Sequence, residues 1–280
     1  MIQLVDHVPA PDEKLTAVRQ TVAAGGPAAN AAVTHRHLGG ASTLLTGIGR
    51  HPLAAGITAD LAACGVDVMD LDEESTVPPP VSCVLVTAGT GQRAVSSLNA
   101  TGRQLPVPGD PPALVTGFQA VEFDGHHMPL ALAVARAARS AGALTLLDGG
   151  SWKPGTAELL PWIDVAVCSA DFRPPGAGDR LGFLREHGVG WAAVSQGAGP
   201  IHWAGPDGGG EVPVPRVRAA DTLGAGDVLH GALVHFLPER ADLGSEAFTR
   251  SLALAAEVAT GSCASFGTRA WMGGEGGSCG

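Results

Sequence analysis

Tyrosine is absent from the 280 residues, and lysine nearly so: Lys14 and Lys153 stand against fifteen arginines, in a chain of formal net charge −10. No basic run and no basic patch laced with aromatics occurs, so the sequence offers no surface for nucleic acid or for an anionic membrane. Five cysteines (64, 83, 168, 263 and 279) include no C-x-x-C pair, which excludes a zinc knuckle and points to reduced thiols rather than a disulfide framework. No apolar run approaches the roughly 20 residues that cross a bilayer. The start, MIQLVDHVPAPDEK, lacks the basic-then-apolar pattern of a signal peptide. A cytoplasmic protein is expected. Neither G-x-x-x-x-G-K-[ST] nor G-x-G-x-x-G is present, so P-loop and dinucleotide-binding readings have no sequence support.

What is present is 45% hydrophobic residue, with 40 glycines and 21 prolines that punctuate apolar segments instead of clustering. Strands are expected at 118–123, 143–147, 164–169 and 191–195, with helices over 129–141 and near 179–187 between them. Strands apolar throughout, alternating with helices, predict a parallel sheet covered on both faces. Two stretches break this rhythm. Residues 78–98 read as a hairpin around Ala88–Gly91, forming a small antiparallel patch or lid, and residues 201–215 read as a second hairpin. The tail, 273–280, reads as loose low-complexity chain.

One segment invites chemistry. In AADTLGAGDVLHGALVHFL, residues 219–237, small residues and a carboxylate stand at the mouth of an apolar helix. Helix N-termini attract anions because their first N–H groups lack partners and the macrodipole is positive there. Asp227 serves either as that anion alone, or as a chemical group beside amides kept for a phosphate. Near the N-terminus, Asn30 follows Gly25–Gly26. Its amide suits neutral polyols because it both donates and accepts, although a plain helix-start role fits as well. His35/His37 and His126/His127 lack further ligand types at metal spacing.

DTLGAGDVLHGAL closely resembles the C-terminal signature of ribokinase-like (pfkB) carbohydrate kinases, and GGPAANAAVTHRHLGG, 25–40, resembles their N-terminal glycine-glycine and asparagine segment. GIGR, GVDV, VSQGAG and SFGTRAW follow in family order. The resemblance implies an α/β, ribokinase-like fold: a mostly parallel central sheet flanked by helices, with a small antiparallel β lid (about 8–24 and 78–105) on one domain spanning 1–272. It implies an ATP-dependent sugar kinase using Mg2+, with a monovalent cation and a homodimer through the lid as further family features. Asp227 matches the catalytic base, and Gly224, Ala225 and Gly226 the anion hole. Gly26, Asn30, Asp12 and Arg103 match sugar-side positions, and Ser195 and Gly197 match a turn beside the nucleotide, which Gly224 and Gly226 also meet; Lys153 is placed with them because it follows the end of an expected parallel strand. A nucleoside kinase is the alternative acceptor class, though few aromatics are available for base stacking. A non-catalytic binding protein of the same fold is the alternative of another class.

Departures are visible. The family's Asn-x-x-Glu is Ser169-Ala170-Asp171-Phe172 here, as it is also lost in ketohexokinase-like members. Gly-x-Asp is Gly49-Arg50-His51. Pro27 stands where ketohexokinase-like members have a sugar-contacting asparagine, which implies a substrate other than fructose. IQLVDHVPAPDEK aligns with the end of the family's first strand, so either the protein lacks an aspartate-bearing central strand or that strand lies upstream of Met1, and the second is expected.

Overall fold

A computed structural model describes residues 1–100 and 102–273; the tail expected beyond Gly273 lies outside them. Two compact units emerge. One comprises Met1–Arg103, Arg216–Leu229 and Val258–Gly280, the other Gln104–Pro215 and His230–Glu257.

The first unit opens with strands β1 (Ile2–Val5) and β2 (Arg19–Thr21), helix α1 (Pro27–His37), strand β3 (Thr43–Thr46), helix α2 (Pro52–Ala63) and strand β4 (Asp67–Asp70). The hairpin β5 (Ser82–Thr87) and β6 (Arg93–Ser97) follows. A four-stranded sheet has the order β2-β1-β5-β6. Its β5–β6 pairing is antiparallel, as the hairpin predicts, but β1 joins β5 in parallel, Ile2 facing Val84 and Val5 facing Thr87. The patch is therefore mixed rather than wholly antiparallel. In β5 only Val84 and Val86 are buried, the alternation of a sheet covered on one face; with Ile2 they pack on Phe266. A second core gathers Val33 of α1, Leu61 of α2, Leu44 of β3 and Val66, beside the parallel pair β3–β4.

The second unit holds β7 (Ala120–Phe123), α3 (Met128–Ser140), β8 (Leu144–Gly149), the single turn α4 (Thr156–Leu159), β9 (Val165–Cys168), α5 (Arg180–Glu186), β10 (Trp191–Val194), β11 (Ile201–Gly205) and β12 (Gly208–Val212). Its sheet runs β12-β11-β10-β9-β8-β7. Strands β7 to β10 are parallel, and the hairpin β11–β12 extends the sheet in antiparallel sense. Every residue of β8, β9 and β10 is buried, as apolar strands covered on both faces must be. Helix α3 turns Leu130, Val134 and Ala138 inward and leaves Arg136 and Arg139 outside the buried set. Asp179 caps α5 by accepting from the Leu181 amide at 3.0 Å. Helices α6 (Ala225–Phe236) and α7 (Ser245–Ser262) complete the elements, each contributing residues to both units. No helix among the described residues is long and apolar enough to cross a membrane.

Candidate active site

The DTLGAGD segment folds as a loop that enters α6 at Ala225, three residues before the apolar run begins. Gly224, the residue before the helix, has φ +76°, a conformation that L side chains rarely adopt. Asp221 is buried and holds the loop from below: its carboxylate accepts from the Leu223 amide at 2.8 Å and the Gly267 amide at 2.9 Å. Arg93 of β6 reaches the same loop, donating to Thr222 Oγ1 at 2.9 Å. The Ala225 amide makes a long 3.4 Å bond to the Thr222 carbonyl, and Val228 is the residue whose amide closes on the Gly224 carbonyl, at 2.9 Å. Asp227 stands in the first turn of α6, where the helix dipole favours a carboxylate.

Asn30 comes from the first turn of α1. Gly26, at φ +105°, precedes that helix, Pro27 occupies its start, and the Asn30 amide bonds the Gly26 carbonyl at 3.0 Å. The Asn30 side chain is 93% buried and its Nδ2 donates to Asp227 Oδ2 at 2.7 Å. Two residues picked out separately, 197 positions apart, thus meet directly. A small cleft opens beside Asn30 and Gly224, walled by Leu223, Val228, Thr268 and Trp271.

Two residues unforeseen in the sequence complete this cluster. Arg269 donates through Nη1 to Asn30 Oδ1 at 2.9 Å, and through Nη2 to the Ala24 carbonyl at 2.9 Å and Asp60 Oδ2 at 3.2 Å. Asp60, on α2, also accepts from the Ala24 amide at 3.0 Å. Arg269 lies inside the SFGTRAW stretch, so its region was in view, but a single arginine carries no signal of its partner. Asp12 sits in an exposed turn at φ +64° and, among the described residues, has no hydrogen bond to Asn30 or Asp227. Arg103 pairs with Asp72 at 2.5 Å.

Within the second unit, the positions expected on the nucleotide side follow the carboxyl ends of parallel strands, where open α/β sheets bind ligands. Ser195 follows β10 and its amide donates to the Cys168 carbonyl at 2.9 Å; Gly197, two residues on, has φ +61°. Lys153, after β8, donates from Nζ to the Asp124 carbonyl at 3.1 Å. Asp124 follows β7, Asp148 lies next to the last residue of β8, and the two respond oppositely to their surroundings. Burial pushes both upward. At Asp124 the hydrogen bond and charge of His126, with Lys153 behind them, prevail and hold the carboxyl below its ordinary range. At Asp148 burial prevails over the charge of His230, 3.5 Å away, and the carboxyl lies above that range.

Solved structures of similar architecture define the fold. A presumed ribokinase from Agrobacterium tumefaciens superposes with a TM-score of 0.83 at 22% identity, over 97% of this chain and 90% of that one. Aminoimidazole riboside kinase from Salmonella enterica, solved with aminoimidazole riboside and an ATP analogue, gives 0.72 at 21% identity over 97% and 95% of the two chains. A presumed Ribokinase II from E. coli, in complex with ATP and Mg2+, gives 0.73 at 16% identity over 97% and 92%. The fold is ribokinase-like, as the resemblance implied. The family profile of pfkB carbohydrate kinases matches residues 1–271. The chain therefore belongs to the pfkB family of carbohydrate kinases, a family of phosphotransferases.

Proposed function

We propose that the protein transfers the γ-phosphoryl group of ATP, taken as its Mg2+ complex, to a hydroxymethyl group of a small carbohydrate. The observation that carries this reading is the placement of Asp227 at the start of α6, one turn beyond left-handed Gly224 and hydrogen-bonded to the Asn30 amide. Asp227 is the general base. It accepts the proton of the acceptor hydroxyl as that oxygen bonds to the γ-phosphorus. The bond from phosphorus to the bridging oxygen breaks, and ADP departs with the electron pair. Phosphoryl transfer asks of the protein mainly positioning and charge stabilisation, which a helix mouth with close-approaching backbone supplies. Gly224, Ala225 and Gly226 are assigned to meet the charge on the transferred group.

The acceptor is assigned to the cleft beside Asn30, with Gly26, Asp12 and Arg103 proposed at its margin. The nucleotide is assigned to the turn of Ser195 and Gly197 and to Lys153, whose ammonium suits phosphate. Mg2+ characteristically binds through substrate phosphates with few protein ligands, so it is taken to arrive with ATP. The test is ADP release with Mg2+ and ATP across a panel of sugars and nucleosides. Sugar-dependent turnover that drops about 10²-fold or more in Asp227→Asn supports the assignment. Turnover on nucleosides alone makes it a nucleoside kinase, and ATP binding without turnover makes it a binding protein of this fold.

A further inference from the structure

A carboxamide has two ends of nearly equal size and opposite chemistry, and its neighbours decide which way it faces. Asn30 lies between two groups that settle the matter. A guanidinium has only donors, so Arg269 Nη1 at 2.9 Å requires Oδ1 on its side. Nδ2 is then directed to Asp227 Oδ2 at 2.7 Å. Turned over, the amide would present oxygen to a carboxylate and N–H to a cation, losing two charge-assisted hydrogen bonds at once.

Arg269 is itself held. Its planar fork takes Asp60 and the Ala24 carbonyl on Nη2, and Asn30 and the Thr268 carbonyl on Nη1. Its side chain is only 14% exposed and that of Asp60 22%, so this ion pair is less screened than a surface one. A lysine, with its single ammonium, would not span the same fork. Nothing in the proposed transfer needs Arg269 to touch substrate; its effect passes through Asn30.

We propose that Arg269 is a positioning residue for phosphoryl transfer: it locks the Asn30 amide in the orientation that donates to Asp227, and so fixes the carboxylate that receives the proton. The inference rests on Asp227 being the base, and its test has a readout independent of activity. Asn30 and Asn99 are the only asparagines in the chain, and Asn99 is exposed. Side-chain amide NMR of protein labelled with 15Nδ2-asparagine therefore gives two signals, one of them a solvated reference.

Arg269→Met is expected to bring the Asn30 signal toward that of Asn99. It should lower kcat about 10-fold or more while KM for ATP changes by less than about 3-fold, with Arg269→Lys between the two. In an Asn30→Ala background the same substitution should cost less than about 3-fold further, since contacting residues acting as one unit are not additive. An Asn30 signal unmoved by Arg269→Met overturns the inference. So does a kcat loss that persists undiminished without Asn30. An Asn30 signal that moves on Arg269→Met, in a protein whose wild type turns over no acceptor, defeats the kinase reading and the catalytic purpose of the lock, while leaving the orientation established. Activity abolished by Asp227→Asn with an unmoved amide defeats the lock alone.

Discussion

Asp124 and Asp148 show how far neighbouring strand ends can drive two identical side chains apart. Asp124 is held low, so its ionised form favours the folded state: that contribution is complete above the ordinary aspartate range and is lost as pH falls through the lowered value. Asp148 is held high, and its contribution has the reverse sign, present below the ordinary range and lost as pH rises through the raised value. Asp124→Asn should therefore flatten the acid side of the stability profile. Urea midpoints measured at pH 5.5 and pH 3 would separate further in wild type than in the variant, and equal separations would contradict the assignment. Such opposed carboxyls were not legible in the sequence: the rise at Asp148 comes from its burial in β8, and the fall at Asp124 needs the nearby His126 to turn its ring onto the carboxylate. Asn30 and Asp227 were legible because each lies in a local glycine-marked motif. Arg269 was not, being 239 positions from the amide it orients. The resemblance set Arg103 toward an active site, yet the partner the structure gives it is Asp72.

Elements were easier to read than partners. The strands β7 to β10 and helices α3 and α5 fall within two residues of their expected limits, because apolar runs buried on both faces leave no ambiguity of face. The pairing of β1 with β5 was hidden: parallel pairing across some 80 residues leaves no local turn to betray it. Asp227 was expected at the mouth of the apolar helix, and α6, beginning at Ala225, does hold it in its first turn, with Gly224 just outside and Gly226 just inside. Gly224 is the position where that junction is most sensitive. A Cβ there would lie 3.4 Å from Thr268 Cγ2, and at φ +76° the left-handed backbone costs an L residue about 1–2 kcal/mol. Gly224→Ala is expected to lower the urea midpoint correspondingly and to reduce kcat more than KM. A variant of unchanged stability and turnover would remove Gly224 from the proposed anion hole.

At the scale of the whole chain, nucleotide binding should register as stability, because a ligand taken by the folded state alone shifts the unfolding equilibrium by mass action. ATP with Mg2+ at a hundredfold excess over its Kd is expected to stabilise by about 2.7 kcal/mol, raising Tm by several degrees in a thermal-shift assay. Asp227→Asn should keep that rise, since the proposed base acts on the acceptor rather than holding the nucleotide. A variant that lost it would give Asp227 a binding role instead. The parallel strands of the six-stranded sheet and the β5–β6 hairpin of the four-stranded one were foreseen from the pattern, whereas the division of α6 and α7 between two units was not.

The first unit is assembled from three separate stretches, and the acceptor-side cluster draws one member from each: Asn30 from Met1–Arg103, Asp227 from Arg216–Leu229 and Arg269 from Val258–Gly280. On the ribosome the chain emerges in order, so a nascent polypeptide carries Asn30 through 197 further positions before Asp227 follows, and Arg269 comes later still. The cluster can close only once the last of the three stretches has been made.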